Sequence, residues 1–279
     1  AQDMNVETVD YKAADAAETL ARSLRDTGFA VLANHPITPD RIDAIYGAWG
    51  DFFAGDGKFD FAVQPPAHDG YFAFRSENAK DSPVKDLKEF FHVYPGCRLP
   101  ADIEALTRQI YADLDNLGRE LLGWIQAQAP AEVTDDLSMP LDKMMEGSDQ
   151  SLLRILHYPP VETAEPGAIR AAAHEDINLI TLLLSGSKPG LQAMDADGNW
   201  HDVACDPGMI TINNGDMLAM ATGDHFPSTT HRVTNPDAGQ NVSRYSMPMF
   251  LHPRPDVLLR PDMTADQYLQ KRLREIGLK

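Results

Sequence analysis

The chain has 279 residues, 43% hydrophobic and 24% charged, a globular composition long enough to bury one large core. Its formal net charge of −18 repels phosphate backbones and anionic membranes, which argues against nucleic acid as a partner. No stretch approaches the roughly 20 apolar residues that span a bilayer.

The opening "AQDMNVETVDYKAAD" has neither the basic nor the apolar region of a secretory signal, and the expected location is cytoplasmic. "ADAAETLARSLRDTG" carries Ala and Leu at helical spacing and stops at Gly28. "FAVLAN" is a short apolar strand. "ITPDRIDAIYGAWGDFFAG" opens a helix with Thr38 as N-cap and Pro39 at the first helical position. Residues 55–86 show no period and read as loop. "ADIEALTRQIYADLDNLGRELLGWIQAQ" is the longest helical pattern. Near residue 150 the character changes to short strands: "LLRILHY", "LITLLL", "LQAMD", "WHDVAC", "MITIN", "MLAMAT", "THRVT" and "SRYSMPMFL". "DADGNW" and "NNGD" read as hairpin turns with Gly and Asn at positive φ. This many strands predicts a barrel or double sheet. "TADQYLQKRLREIG" returns to helix. One structural unit is expected, with a mainly helical region at 1–150, a barrel at 151–260 and a terminal helix at 261–279. Cys97 and Cys205 are far apart without metal or redox spacing, as expected of free thiols.

"AAAHEDINLITLLL" holds the first chemical signal. In extended backbone, side chains at i and i+2 share a face, so His174 and Asp176 aim at one point. Two imidazoles and a carboxylate on one triangular face suit Fe(II) and leave positions open for O2. A third ligand must come from His201, His225, His231 or His252. His231 lies in the strand-like "STTHRVT", His225 in the turn "TGDHFP". In "SRYSMPMF", Arg244, Ser246, Pro248 and Phe250 share one strand face. A guanidinium inside a barrel needs an anion, and Arg grips a carboxylate through two parallel hydrogen bonds. A protein acid would serve Arg244 as well as a ligand would.

Taken in order, His174-x-Asp176, His231 and Arg244-x-Ser246 resemble the Fe(II)/2-oxoglutarate-dependent dioxygenases of the isopenicillin N synthase-like family. "GFAVLANHPI", "LKEFFHV", "LRILHYPP" and "NNGDMLAMATGDHFPSTTHRV" extend the likeness over most of the chain. The resemblance implies an α+β fold: a double-stranded β-helix, or jelly roll, with a helical N-terminal region and a C-terminal helix. His174, Asp176 and His231 are then the Fe(II) ligands. Arg244 and Ser246, with Tyr158, receive the distal carboxylate of 2-oxoglutarate. The implied reaction consumes 2-oxoglutarate and O2, releases succinate and CO2, and oxidises a small-molecule substrate through a ferryl species. Phe250 and Asn178 point inward by alternation as substrate candidates. Tyr71, Phe74, Arg75 and His92 belong to a segment expected to wall the pocket, together with the C-terminal helix. Glu175 should face away from the metal. Many relatives carry Asn where this chain has Leu156, a polar group that Arg154 or His157 would have to supply instead. An Fe(II) oxidase that dispenses with 2-oxoglutarate, or a barrel that binds a ligand without turnover, are the rival readings.

Overall fold

A computed structural model of the chain describes residues 4–74, 88–160, 169–184, 190–234 and 242–277. Helix α1 (Ala16–Thr27) buries Leu20, Ala21 and Leu24 and ends at Gly28, whose φ of 79° is the left-handed conformation that stops a helix. Helix α2 (Pro39–Ala54) begins at Pro39 as expected, although the Thr38 hydroxyl makes no capping bond. It buries Ile42, Ile45, Trp49 and Phe53, one apolar stripe at three- and four-residue spacing. The long α3 (Glu104–Gln128) does the same with Ile110, Leu114, Leu121 and Ile125. Two short helices follow, α4 (Ala131–Thr134) and α5 (Leu141–Met144).

The N-terminal half also supplies strands: β1 (Thr8–Asp10), β2 (Phe29–Ala33), β3 (Gly70–Phe72) and β4 (Glu89–Val93). The remainder begins with β5 (Leu152–Tyr158), β6 (Ile169–His174), β7 (Ile180–Leu184) and β8 (Leu191–Met194). Next come β9 (Trp200–Asp202), β10 (Ile210–Asn214), helix α6 (Asp216–Ala221), β11 (His231–Thr234) and β12 (Arg244–Leu251). A small hairpin, β13 (Leu258–Arg260) and β14 (Met263–Thr264), leads into α7 (Ala265–Glu275). Thr264 and Gln267 cap α7 reciprocally, side chain to backbone in both directions.

The eight-stranded sheet runs β1-β2-β10-β7-β12-β5-β4-β3, and a four-stranded sheet runs β6-β11-β8-β9. Together they form the jelly roll, an α+β fold with helices on one side. The main core lies on the outer face of the large sheet. There Leu182, Leu184, Ile212, Met247, Met249 and Leu251 meet Leu114, Leu121 and Ile125 of α3. The opposite residues on the same strands face the small sheet. Phe29 and Val31 pack there with Ala193 and Val203, and Phe90 with Leu156 and Tyr158. Alternation therefore divides each central strand into a structural face and a chemical face.

Three local expectations are corrected. "MLAMAT" is the helix α6, not a strand. Met, Leu and Ala favour helix, and a short apolar run cannot be typed by periodicity. "NNGD" is a strand-to-helix turn rather than a hairpin. Gly215 sits at φ −101°, ψ 172°, so it is required for closeness, not for positive φ. A Cβ there would lie 2.0 Å from the Asn178 carbonyl oxygen. The segment expected as loop from 55 contains a 3-10 helix, Asp56–Phe61, and β3; residues 75–86 of it lie outside the described residues. "DADGNW" is the expected hairpin, joining β8 to β9 with Gly198 at φ 84°.

Candidate metal centre and active site

Strand pairing builds the site. β6 and β11 are antiparallel, and His231 is the direct partner of His174 across the ladder. Asp176 lies two residues beyond the end of β6 and comes to the same point. His174 Nε2 lies 3.5 Å and His231 Nε2 3.4 Å from Asp176 Oδ1. Ligand atoms from all three lie within 4.8 Å of one another. Asp176 and His231 are buried, while His174 is half exposed, so the cluster opens on one side.

Each ligand is aimed by a second partner. His174 Nδ1 donates to the Ala172 carbonyl (2.8 Å) and His231 Nδ1 to the Thr229 carbonyl (3.1 Å). Those bonds place the ring proton on Nδ1 and leave Nε2 of both rings for a metal. Asp176 Oδ2 accepts from Thr181 Oγ1 (2.6 Å) and Asn213 Nδ2 (2.8 Å), so Oδ1 faces the histidines. Burial works against the Asp176 charge, but His231 and His174 hold its carboxyl well below the usual carboxylate range. Burial likewise opposes the His231 imidazolium, and Asp176 overrides it and raises the His231 pKa. Phe29 backs the His231 ring edge-on, with centroids 5.5 Å apart. The backbone is pinned too: the amides of Gly215 and Asp216 donate to the carbonyls of Leu179 (2.8 Å) and Asp176 (2.7 Å). This donor set, with neutral Nε2 atoms and a fixed carboxylate oxygen, fits a divalent first-row metal.

The other histidines are elsewhere. His201 pairs with Asp195 at 2.6 Å, and His225 packs edge-on against Phe226. His252 follows β12 near enough to feel Asp176, and burial pushes its pKa down to about 4. Glu175 faces away from the cluster as expected, accepting from Thr230 and lining a cavity of about 430 Å³ beside α6 and α7. Tyr268 of α7 donates to Asp216 across that cavity.

Arg244 stands opposite Tyr158 in the β12–β5 ladder, and Ser246 opposite Leu156. All four project from the inner face. The Arg244 guanidinium reaches between the sheets; a Cβ on Gly190 would lie 2.7 Å from its Nη1. Phe250 is the ladder partner of Thr181, which places it beside the residue that orients Asp176. Of the pocket candidates, His92 is on the inner face, directly opposite Arg154. Three candidates make other contacts. Tyr71 points to the outer face, where its hydroxyl donates to Glu89 at 2.7 Å. Asn178 is buried, and its amide is spent on the Ile180 carbonyl (2.7 Å) and Thr181 Oγ1 (3.2 Å). It steadies Thr181, which in turn orients Asp176. His157 also faces outward, so it does not stand in for the polar group that Leu156 lacks. Phe74 is exposed, and Arg75 lies outside the described residues.

Two features went unassigned in the sequence. Thr181 and Asn213 are polar inner-face residues on strands that otherwise read as apolar, which is the one signal that marks them. Glu89 is 1% exposed yet accepts from Lys58 (2.9 Å), Tyr71 and His157 Nδ1 (2.6 Å). Burial opposes its charge, and His157, Lys58 and Tyr71 hold its pKa below the ordinary value. His157 Nε2 lies 3.1 Å from Ser243 Oγ, and its ring stacks on Tyr245 at 4.6 Å. The network thus ties together the residues flanking Tyr158 and Arg244.

Comparison with known proteins agrees with this geometry. The family described as "2OG-Fe(II) oxygenase superfamily" matches residues 149–253, and "non-haem dioxygenase in morphine synthesis N-terminal" matches 3–111. A structure of a putative oxygenase from Shewanella oneidensis is 48% identical, with TM-score 0.90, covering 99% of this chain and 100% of that one. The chain belongs to the 2OG-Fe(II) oxygenase superfamily. A putative family member from Caulobacter crescentus is 36% identical at TM-score 0.82, covering 98% of this oxygenase and 99% of that chain. Among curated proteins, the proline hydroxylase buaE of Petromyces alliaceus is 31% identical over 91% of each chain. The oxygenase is thus a non-haem Fe(II)- and 2-oxoglutarate-dependent oxidoreductase, with His174, Asp176 and His231 as its facial triad. Among the described residues, no helix is long and apolar enough to cross a membrane.

Proposed function

We propose that the oxygenase hydroxylates or desaturates a small organic molecule at the open side of the triad. The observation that carries this is the convergence of the three ligand atoms within 4.8 Å, on the inner side of the barrel wall that holds Arg244, Ser246 and Tyr158. When bound, Fe(II) with 2-oxoglutarate and O2 supplies the oxidation, releasing succinate and CO2. The chain's own residues do the rest. Thr181 and Asn213 fix the carboxylate of Asp176, and the two carbonyls fix the imidazoles, so the coordinating face is set before the metal arrives. Arg244 receives the distal carboxylate of 2-oxoglutarate through paired charged hydrogen bonds, Ser246 adds a hydroxyl and Tyr158 adds its own. Phe90, Leu156 and Phe72 make the adjoining wall apolar and exclude water from the reacting groups. Phe250 lines the substrate side, and His92 stands on the same wall. The segments 1–150, 151–260 and 261–279 act as one unit, because β1 to β4 complete the large sheet.

The test is anaerobic titration of the Fe(II)-loaded chain with 2-oxoglutarate, followed by its weak visible charge-transfer band. Arg244→Ala should weaken 2-oxoglutarate binding by at least about tenfold while iron stays bound. His231→Ala should lose iron, and His225→Ala should keep it. An Arg244→Ala chain that binds 2-oxoglutarate as tightly as wild type would refute the assigned anchor.

A further inference from the structure

Arg244 and Tyr158 face each other at the end of the β12–β5 ladder. Tyr158 is the last residue of β5 and Arg244 the first of β12. The other edge of β12 gives little support there: among the described residues, its ladder with β7 begins only at Met247. Residues at a strand end fray, because ladder bonds hold them from one direction only. A carboxylate anchor placed there needs bracing from another part of the fold.

The bracing lies on the opposite face of the same strands. His157 is the direct partner of Glu89 on β4 and of Tyr245 on β12, so these three make one row across the sheet. The next row holds Tyr158 and Arg244. By alternation the first row points outward while the anchor points inward. The His157 ring stacks on Tyr245 (4.6 Å, 14°) and on Phe53 of α2 (5.8 Å, 23°). Tyr245 closes against Gly50 of the same helix, where an added Cβ would lie 3.5 Å from its ring.

Polar contacts run along this row from α2 to the start of β12. Lys58 Nζ donates to the Phe53 carbonyl at 2.7 Å and to Glu89 Oε1 at 2.9 Å. The Tyr71 hydroxyl donates to the same oxygen at 2.7 Å. Glu89 Oε2 accepts from His157 Nδ1 at 2.6 Å, and His157 Nε2 meets Ser243 Oγ at 3.1 Å. Ser243 immediately precedes Arg244. The last contact therefore ties the chain just outside β12 back to β5, where the ladder runs out. Displacing either end breaks a hydrogen bond in a water-poor setting, which makes the line stiff.

We propose that Glu89, His157 and Ser243 are positioning residues for the cosubstrate: they hold the ends of β5 and β12 so that Tyr158 and Arg244 meet the distal carboxylate of 2-oxoglutarate in one fixed geometry. The proposal requires only that the anchor be held in place, whatever else Arg244 and Tyr158 contact. It rests on the anchor assigned in the oxygenase reading above, and the experiment separates the two. The Fe(II)-loaded chain is titrated anaerobically with 2-oxoglutarate and with pyruvate, a 2-oxo acid that has no distal carboxylate; the visible band follows both. Wild type should prefer 2-oxoglutarate by at least about tenfold. Ser243→Ala removes one end of the line at a partly exposed residue. His157→Phe removes both hydrogen bonds of the imidazole and keeps a ring against Phe53 and Tyr245. The preference should fall about threefold in Ser243→Ala and further in His157→Phe, with pyruvate binding and Co(II) affinity unchanged. Ser243→Thr keeps the hydroxyl and should restore the preference. A wild-type preference in both variants, a threonine variant as weak as the alanine one, or an equal loss of pyruvate or Co(II) binding overturns the proposal. A wild-type chain with no preference for 2-oxoglutarate over pyruvate would instead overturn the assigned anchor.

Discussion

Thr181→Val isolates the contribution of one hydroxyl to the metal centre. Asp176 is 5% exposed, and its Oδ2 has two donors, Thr181 at 2.6 Å and Asn213 at 2.8 Å. Valine replaces the hydroxyl with a methyl group of similar size, so no cavity forms. A hydrogen bond to a buried charge contributes about 1.5–3 kcal/mol, and the metal-free fold should lose about that much. The bond exists with or without metal, so metal affinity falls only through the looser aim of the carboxylate. Loss of an outer partner of a ligand costs about 10–100-fold in affinity. Asn213 remains, which places the expected loss at the lower end, about tenfold or ~1.4 kcal/mol. Urea denaturation of the metal-free chain measures the first quantity, and Co(II) titration the second. Thr181→Ser should recover most of both. Unchanged Co(II) affinity in Thr181→Val, or a serine variant as weak as the valine one, would refute the claim that this hydroxyl orients Asp176.

Two further outcomes follow from the same geometry. Gly215→Ala would put a Cβ 2.0 Å from the Asn178 carbonyl, so the segment that carries Asp176 must move. Overpacking of this kind costs about 1–3 kcal/mol, and metal retention should fall with stability; thermal melts with and without Co(II) check it, and an unperturbed melt would contradict the close approach. The pH dependence has a defined sign. Metal binding needs neutral imidazole, and the metal-free His231 pKa is raised above 6.5, so Co(II) affinity should begin to fall above that pH as acid is added. In the metal-free chain the raised His231 contributes stability that is present below its unfolded pKa and lost as pH rises through the folded value. The depressed Asp176 contributes stability present above its unfolded pKa and lost as pH falls through the folded value. Asp176→Asn should flatten the alkaline loss; a loss that persists in that variant assigns it to another group.

Much of the site was legible because its parts obey short-range rules. The i, i+2 spacing of His174 and Asp176 and the alternation of Arg244, Ser246 and Phe250 depend on extended backbone alone. The same rule says less at Asn178, whose amide bonds the Ile180 carbonyl and Thr181 within its own turn. It failed at "MLAMAT", where an apolar run of six carries no period long enough to separate helix from strand. Tyr71 and His157 could not be assigned a face until the pairing partners of β3 and β5 were known.

The residues by themselves determined the ligand types, the face shared by Arg244, Ser246 and Phe250, the stop of α1 at Gly28 and the start of α2 at Pro39, since each follows from spacing, capping and propensity within a few positions. The tertiary structure alone decided that His231 stands opposite His174 while His201 and His225 stand elsewhere. It alone brought Thr181 and Asn213 onto one carboxylate oxygen and set Arg154 beside His92. Apart from Thr181 with Asp176, those pairings join positions tens of residues apart, and their register depends on ladder pairing between strands, which no local pattern encodes.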